Sequence, residues 1–327
     1  MSTPQTSAVS RPVSVSAACA ADPVRALISE SKDLPFETPL VDVMNGACRR
    51  EIKALDHGFI ALVDAMPRLV PEGQTGDQAI VQAARVSYGA GTKQVSEDRG
   101  LIRYLLRHRH TTPFEMVEFK FHIAMPIFIA RQWIRHRTAN VNEYSARYSI
   151  VKDRFYKPSL DAVRKQSSSN RQGGEETFQQ SDEQQIKTAQ DFLAFLDHVE
   201  GLYGKYLSLT EAGVSRELAR MGLPVNVYTE WYWKCDLHNI LRFISLRLDS
   251  HAQLEIRAYA QAMLDLIEPI VPHTVEAFRD YEFDAMHLSR LEIEAIRGMS
   301  QGGTGELDAT NKREAAEWTI KKAKLGL

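Results

Sequence analysis

The sequence contains little cysteine: its 327 residues include only three, Cys19, Cys48 and Cys235, and no two of them have a CxxC spacing. Three isolated thiols make neither a disulfide framework nor a thiolate zinc site, so they suit a reducing compartment and we expect a cytoplasmic protein. No apolar run approaches the roughly 20 residues of a membrane-spanning helix. GxSxG, GxGxxG and P-loop patterns do not occur, so none of these signatures supports a nucleophilic-serine, dinucleotide-fold or P-loop enzyme.

An excess of charge of one sign is also missing. The 40 Lys and Arg residues are balanced by 42 Asp and Glu residues, which gives a formal net charge of -2 at pH 7. A chain with this balance has no global field that would hold nucleic acid or an anionic membrane, and we expect neither as a partner. Any anion that the protein binds must therefore be held by a local cluster of basic side chains.

One such cluster occurs at Arg135–Tyr148, RHRTANVNEYSARY, which has four positively chargeable side chains and a single acid, Glu143. The segment before it, Pro126–Ile134, is mostly apolar, so the charge arrives at the end of a buried element. Guanidinium groups present a fixed fork of donors that matches phosphate and carboxylate oxygens. The stretch therefore indicates either an anion site on a rigid element or an ordinary basic helix end favoured by the helix dipole.

Hydrophobic periodicity predicts both strands and helices along the chain. Strands are predicted at 59–63, 117–123 and 144–151, the last after an Asn-rich turn at 139–143. Helices are predicted at 80–87, 97–109, 127–137, 186–209, 237–248 and 313–324, with a short one between Ser215 and Pro224. Ser250 and Gln253 have capping-box spacing and predict a further helix that runs to Ile267.

These elements predict an α+β protein, a single mixed domain with a central sheet region flanked by long helices. We expect a disordered N-terminal tail at 1–35, because this stretch is small, polar and without periodicity. The catalytic domain is then expected at 36–300, with a flexible polar insertion at 166–185. Residues 301–327 are expected to form a C-terminal extension.

Three further polar clusters follow the basic stretch. Arg220 stands before a proline break, and aromatic residues precede an Asp and a His in Trp231–His238. Arg247 follows Leu241 and Ile244 at helical spacing, near an otherwise apolar face, so we expect it to be partly buried. A buried guanidinium needs an anionic or multi-acceptor partner. No metal site is expected, because no His pair stands at a standard ligand spacing from a Cys or a carboxylate.

Together these segments resemble the flavin-dependent thymidylate synthase family. The resemblance rests on RHR followed by seven residues and a serine, Ser145, and on further matching stretches. These are HTTPFE (His110–Glu115), ARQWIRHR (Ala130–Arg137), NEYSARY (Asn142–Tyr148), the AR and LP pairs within Ala219–Pro224, and LRLDSHAQ (Leu246–Gln253). The match extends from about Leu55 to Val271, with the motifs in the family's order.

The resemblance implies a homotetramer that binds FAD at subunit junctions and has an α/β fold. Such an enzyme reduces the flavin with NADPH, takes one carbon from methylenetetrahydrofolate and methylates dUMP to dTMP. The flavin carries the hydride, and the protein provides orientation and electrostatics. No cysteine nucleophile is required.

The resemblance also implies site residues. FAD contacts are expected at Thr112 (from another subunit), Arg135, His136, Arg137, Glu143, Asp236, Leu237, His238 and Arg242. Contacts to dUMP are expected at Gln132, Trp133, Ile134, Arg135, Glu143, Tyr144, Ser145, Ala146, Arg147, Arg220 and Arg247. Arg247 matches the family's activating arginine, which favours ionisation of the uracil ring, whereas Ser145 is expected to hydrogen-bond dUMP rather than attack it.

Two other functions remain open at this stage. A nucleic-acid-binding module would use the same arginines to hold phosphates and the nearby aromatic rings to stack on bases. A flavin reductase would oxidise NADPH without transferring a methyl group.

Overall fold

A six-stranded antiparallel sheet dominates the part of the chain that the computed structural model describes. The described residues are 22–32, 50–68, 74–86, 98–167, 174–178, 181–307 and 311–327. Helices accompany this sheet, so the prediction of a mixed helix and sheet protein is confirmed.

The strands are numbered in chain order. They are β1 (Ile28–Lys32), β2 (Arg50–Ala54), β3 (Gly58–Met66), β4 (Glu118–Pro126), β5 (Asn140–Glu143), β6 (Arg164–Gln166), β7 (Gly174–Thr177) and β8 (Tyr228–Asp236). The main sheet has the order β1-β2-β3-β4-β8-β5, and β6 pairs with β7 in a separate two-stranded sheet. All pairs are antiparallel.

The longest helices lie in the second half of the chain. They are α1 (Asp77–Arg85), α2 (Asp98–Arg107), α3 (Thr112–Glu115), α4 (Ile127–Trp133), α5 (Glu183–Glu200), α6 (Leu202–Glu211), α7 (Arg216–Ala219), α8 (Leu237–Arg247), α9 (Leu254–Ile267), α10 (Pro272–Phe278), α11 (Arg290–Ser300) and α12 (Lys312–Leu325). Single 3-10 turns occur at Arg25–Leu27, Leu160–Ala162 and Arg220–Gly222, and a π-helical turn at Arg279–Phe283.

One face of the sheet forms the core, as the alternation in β4 predicts. Phe119, Phe121 and Ile123 are fully buried, and two of them face tryptophans of β8 across the ladder, Phe121 opposite Trp233 and Ile123 opposite Trp231. Aromatic and β-branched residues stabilise such cross-strand pairs. Helices α8 and α9 cover this face, and α9 is buried on nearly its whole circumference.

Trp133 at the end of α4 fixes the site-bearing corner to this core. Its ring is fully buried and packs edge-on against Trp231 and Trp233, and it stacks on Phe243 of α8 with ring centroids 4.4 Å apart. A large aromatic side chain buried in this way contributes on the order of 3–5 kcal/mol. The chain that follows Trp133 therefore starts from a fixed point.

A close approach on the same face requires glycine at position 58. The Tyr259 hydroxyl of α9 donates a hydrogen bond to the Ala124 carbonyl at 2.8 Å. A Cβ at Gly58 would lie 2.0 Å from that hydroxyl and 2.5 Å from the Ala54 carbonyl oxygen. No side chain fits there without displacing α9 or the β2–β3 turn.

Two predictions around the basic stretch are wrong in position. The helix expected at 127–137 ends at Trp133, and the strand lies at Asn140–Glu143 rather than at 144–151. The asparagines pair with the free edge of β8, which overrides their turn preference. The following residues turn instead, since the amides of Tyr148 and Ser149 both donate to the Ser145 carbonyl.

Two helix predictions also differ in detail. The long helix expected at 186–209 is divided into α5 and α6 at Gly201, a residue with weak helix propensity. Helix α9 lacks the predicted Ser250 capping box. The Asp249 carboxylate instead accepts the His251 amide at 2.8 Å, which holds the residues before α9 in a turn.

The expected tail and insertion are partly ordered. Residues 28–32 form β1, which pairs with β2, and Val24 is buried, so disorder over the whole of 1–35 is wrong; residues 1–21 and 33–35 lie outside the described ranges. Within the insertion, β7 pairs with β6, and the Asp182 carboxylate caps α5 by accepting the Gln185 amide at 3.1 Å. Residues 168–173 and 179–180 are not described.

Other expected elements are confirmed. The strands expected at 59–63 and 117–123 fall in β3 and β4, and α1, α2 and α8 occupy the positions that periodicity predicts, although residues 87 and 97 lie outside the described ranges. The short helix after Ser215 is confirmed as α7, without a side-chain cap, and the helix expected at 313–324 is α12. The domain boundaries at 36–300 and 301–327 stay predictions.

Candidate active site

The sheet places the predicted site residues on neighbouring segments. The turn after α4 leads into β5, β5 pairs with β8, and β8 continues directly into α8. The basic stretch before β5 and the start of α8 therefore lie at the same end of these two paired strands. This proximity results from strand pairing between segments about 90 residues apart in the sequence.

Arg247 joins the end of α8 to the end of α4. Its Nε donates to His136 Nε2 at 3.0 Å, and a terminal guanidinium nitrogen donates to the Gln132 carbonyl oxygen at 3.2 Å. The side chain is half-buried, as its position near an apolar helix face predicts. Its partners are neutral acceptors, so no carboxylate of the described residues cancels its charge.

His136 is held neutral by its surroundings. Burial, reinforced by the positive charges of Arg247 and Arg242, lowers its pKa from 6.5 to about 4. Because Nε2 accepts from Arg247, the single proton of the neutral ring must be on Nδ1. Burial and the neighbouring Arg135 likewise lower the pKa of Arg247. Three arginines thus share a small region in which charge is not fully compensated.

Gln132 is tied to a residue that the sequence analysis did not assign. Its side-chain Nε2 donates a short hydrogen bond to Gln253 Oε1, at the start of α9. Its carbonyl oxygen accepts from Arg247. In the sequence, Gln253 lies at the end of the LRLDSHAQ stretch and at capping-box spacing from Ser250, and neither signal indicated a contact with Gln132.

A second cluster forms where the loop after β5 meets α7. The Arg147 Nε lies 3.2 Å from Glu217 Oε2, and the Arg147 amide donates to Ser145 Oγ at 3.3 Å. Arg216 holds the loop by donating to the Tyr148 carbonyl at 2.7 Å. Glu217 was not anticipated from the sequence, because 70 residues separate it from Arg147.

The remaining residues predicted to bind dUMP differ in the groups that they can offer to a ligand. Glu143 accepts the Thr229 hydroxyl at 2.7 Å, and Tyr144 donates to the Ile150 carbonyl at 2.6 Å. Ala146 packs against the small core around α6, and Ile134 is exposed. Because the Trp133 ring is fully buried, only its main chain is available to a ligand.

The predicted flavin residues of α8 lie at its start and along one side. The Asp236 carboxylate caps the helix by accepting the Asn239 amide at 2.9 Å, Leu237 is buried, and His238 is half-buried. Thr112 opens α3, which packs against α8, so Thr112 lies near this helix within one protomer. Its expected contact across a subunit boundary stays a prediction.

Four exposed arginines around these clusters have no acidic partner among the residues that the structure describes. They are Arg135, Arg137, Arg220 and Arg242, and no carboxylate of the described ranges lies within ion-pair distance of any of them. Uncompensated guanidinium groups are suited to phosphate oxygens. The donor set fits the diphosphate of FAD and the phosphate of dUMP.

A cavity of about 990 Å³ lies beside the Arg247 cluster. It is bounded by α5, by the β6–β7 pair and by the residues that lead into α9. Gln253 lines the cavity and also bonds Gln132, so one side chain is common to both. None of the residues that the sequence analysis assigned to the site lines this cavity.

Cys235 is not a usable nucleophile. Burial raises the pKa of its thiol to about 12, and its Sγ donates to the Thr138 carbonyl at 3.5 Å. Cys19 and Cys48 lie outside the described residues. Within the described ranges no group of three His, Cys, Asp or Glu residues is arranged to hold a metal, and no helix there is long and apolar enough to cross a membrane.

The sequence matches relatives over most of its length. Residues 68–273 match the family described as thymidylate synthase complementing protein. The chain is 63% identical over 286 residues to a flavin-dependent thymidylate synthase of Dictyostelium discoideum, covering 88% of this chain and 91% of the relative. It is 49% identical over 280 residues to the protein of that name from Wolbachia pipientis wMel, covering 85% and 94%.

Solved structures are similar as well. The chain resembles the UMP/dUMP methylase PolB of Streptomyces cacaoi, bound with 5-Br UMP, with a TM-score of 0.57 and 33% sequence identity. That match covers 69% of this chain and 95% of the PolB chain. The same methylase bound with 5-Br dUMP gives the same TM-score.

Proposed function

This chain belongs to the flavin-dependent thymidylate synthase family, and from that premise we propose that it methylates dUMP to dTMP. Methylenetetrahydrofolate is the one-carbon donor, and NADPH is the reductant of a bound FAD. The observation that carries the proposal is the Arg247 cluster. It places a half-buried, uncompensated guanidinium beside His136 and Gln132, within the motifs that the family shares.

Arg247 acts on the uracil ring. Its charge favours the ionised form of the base, and a pair of unit charges about 4 Å apart gains roughly 4 kcal/mol at an effective dielectric near 20. Two hydrogen bonds to neutral acceptors orient the guanidinium without neutralising it. Preorganised charge of this kind stabilises negative charge that develops during a reaction.

His136 supports Arg247 by remaining neutral. A protonated imidazole would lose the Nε2 lone pair that accepts from the Arg247 Nε, and it would add a second positive charge beside it. The low pKa of His136 prevents both at neutral pH. His136 is therefore a positioning residue toward the substrate as well as a flavin contact.

The phosphate of dUMP is held by Ser145, Arg147 and Arg220, and Arg220 follows by three residues the Glu217 that pairs with Arg147. In the free protein Arg147 is paired with Glu217, an exposed contact that a phosphate dianion displaces at little cost. The Ser145 hydroxyl hydrogen-bonds the nucleotide. Gln132, Ile134, Tyr144 and Ala146 complete the pyrimidine site, with main-chain contact from Trp133.

FAD, when bound, supplies the hydride of the reduction. The residues that bind the anionic part of FAD are Arg135, Arg137 and Arg242, which have no acidic partner among the described residues. The rest of FAD is surrounded by Thr112, His136, Glu143, Asp236, Leu237 and His238. Asp236 already caps α8, so its carboxylate contributes through the position of that helix.

The active unit is a cytoplasmic homotetramer in which neighbouring protomers share sites, with Thr112 reaching the flavin of another subunit. Light scattering of the holoprotein tests this, since a tetramer has four times the 37.0 kDa mass of the chain. A monomeric, fully active holoprotein would contradict it.

Release of tritium from dUMP labelled at carbon 5 tests the reaction itself. We expect a yellow protein that releases tritium and forms dTMP only when both NADPH and methylenetetrahydrofolate are supplied. A flavin reductase would oxidise NADPH with no response to dUMP. A nucleic-acid-binding module would be colourless and would bind oligonucleotides with a steep salt dependence.

A further inference from the structure

The cavity next to Gln253 has the features of a ligand site. Its volume of about 990 Å³ is at the upper end of the range for small-molecule pockets. Aromatic rings line it, among them Tyr156, Phe178 and Phe192. Phe192 is 41% exposed although it is a large apolar side chain on α5. Exposed rings that line a cavity are suited to stack on a planar ligand.

The charge of the lining is positive. Among the described residues that line the cavity, Arg164, Lys165 and Arg257 are cationic, and Glu255 is the single acid. The Tyr156 hydroxyl already donates to Glu255 Oε1 at 3.2 Å, which satisfies part of that carboxylate. The nearby Asp249 is engaged by the amide and the ring Nδ1 of His251, both at 2.8 Å.

Two of these cations have unused donors. The Nε atoms of Arg164 and Arg257 are buried, and neither has a hydrogen-bond partner within the described residues. Buried polar atoms are nearly always paired, because an unpaired one loses its hydration without replacement. No carboxylate of the described residues lies within ion-pair distance of Arg164 or Arg257 either, so the cavity is lined by two uncompensated guanidinium groups, which favour an anionic ligand.

The position of the cavity connects it to the reaction. Gln253 lines the cavity and bonds the Gln132 side chain, and the Gln132 carbonyl accepts from Arg247. A ligand that fills the cavity thus ends two hydrogen bonds away from the proposed activating arginine. A soluble cosubstrate whose reactive end must reach that centre fits this arrangement.

We propose that this cavity binds the aromatic, anionic tail of a cosubstrate, with Arg164 and Arg257 on its anionic groups and Phe192 against its ring. The proposal rests on the proposed function. Two sources share this chemistry: the aminobenzoyl-glutamate part of methylenetetrahydrofolate, with its carboxylates, and the adenosine part of NADPH, with its phosphates.

The experiment removes the charged group of Arg257 and keeps an apolar side chain in its place. Arg257→Met is titrated calorimetrically, as flavin-loaded protein, with tetrahydrofolate in one arm and NADP⁺ in the other. The KM values for methylenetetrahydrofolate and NADPH are measured in parallel by tritium release. Arg297→Met is the matched control, because Arg297 is an exposed arginine of α11 away from the cavity.

We expect Arg257→Met to weaken one of the two ligands at least tenfold, corresponding to about 1.4 kcal/mol, with the matching KM raised and Arg297→Met unchanged. Weakened tetrahydrofolate binding alone identifies the carboxylate tail, and weakened NADP⁺ binding alone identifies the phosphate. Phe192→Ala, a change at an exposed ring, should weaken the same ligand, and it serves if Arg257→Met unfolds.

Unchanged affinities and KM values for both ligands in both variants would overturn the proposal, while normal tritium release would leave the proposed function standing. A wild-type protein that releases no tritium contradicts the proposed function instead. In that case the calorimetric arms still decide whether the cavity binds an aromatic anion.

Discussion

At the scale of single residues, Arg247 provides the most direct test. Arg247→Lys keeps the positive charge but removes the planar fork that reaches His136 and Gln132 together. We expect kcat to fall by roughly 10²-fold, the usual effect of removing one preorganised donor. Thermal unfolding should change little because the side chain is only half-buried. A variant with near-normal turnover would contradict the role.

The pKa of His136 predicts a pH effect on stability. Its folded pKa of about 4 lies below its ordinary value of 6.5, so between these limits the unfolded chain binds more protons. The contribution of neutral His136 is complete above pH 6.5 and is lost as the pH falls toward 4.

His136→Gln isolates this contribution, because glutamine does not titrate and its carbonyl oxygen can accept from Arg247. Urea unfolding of wild type and variant, at equal protein concentration from pH 4 to 7.5, should show wild-type stability falling more steeply below pH 6.5. Parallel curves would show that His136 titrates normally.

Arg147 and Glu217 predict opposite effects on dUMP binding. Arg147→Ala should weaken dUMP about tenfold or more, since hydrogen bonds to charged groups contribute roughly 1.5–3 kcal/mol, while flavin stays bound. Glu217→Gln frees Arg147 from an exposed pair worth about 0.2–1 kcal/mol and should tighten dUMP up to about fivefold. Calorimetry with dUMP measures both. Unchanged affinity in Arg147→Ala would refute the phosphate contact.

The sequence predicted the half-buried state of Arg247 but not the contacts that its neighbours make with distant residues. Helical spacing from Leu241 and Ile244 indicated a half-buried guanidinium that needs acceptors, and the structure provides two. The sequence indicated neither the contact of Gln253 with Gln132 nor the contact of Glu217 with Arg147. These partners are 121 and 70 residues from Gln132 and Arg147, and a single sequence carries no signal for such pairings.

At the scale of secondary structure, the local sequence pattern predicted the elements that bury one face. It failed for strands whose position depends on pairing with another strand. The alternation in β4 and the periodicity of α8 were sufficient. β5 was misplaced because its asparagines have turn propensity, and they form a strand only where β8 offers an open edge. β1 was missed for the same reason, since its ladder partner is β2.

The contact between the β2–β3 turn and α9 predicts a large stability change. Gly58→Ala places a methyl group against the Tyr259 hydroxyl and the Ala54 carbonyl. We expect the free energy of unfolding to fall by about 3 kcal/mol, as for severe overpacking. Urea denaturation measures it.

Tyr259→Phe serves as the partner in a double-mutant cycle. Removing the hydroxyl relieves the closer of the two contacts, so Gly58→Ala should cost less in that background. Strictly additive effects would show that the hydroxyl does not restrict position 58.

At the scale of the whole molecule, the C-terminal helix pair, α11 and α12, is held together by contacts between the two helices and the segment that joins them. The Trp318 ring is buried and donates to the Gly305 carbonyl at 2.8 Å, and Lys321 bonds the buried Glu292 at 2.8 Å. None of these residues belongs to the core cluster under the sheet. The pair can therefore open without disturbing the sheet.

Trp318→Ala should accordingly raise amide hydrogen exchange across 290–327 while exchange in β4 and β8 stays slow. Tritium release from dUMP should be unchanged, because no proposed site residue touches Trp318. A general rise of exchange that includes the central strands would show that the pair stabilises the whole fold.

The short outermost strand, β5, also influences how the protein behaves in concentrated solution. Sheet proteins grow into filaments when an open edge offers a long, apolar template to another chain. Here that edge is four residues long, and the exposed Asn140, Asn142 and Glu143 occupy three of its positions. In concentrated solution, copies of the protein should therefore not associate through this edge, even when no other chain covers it.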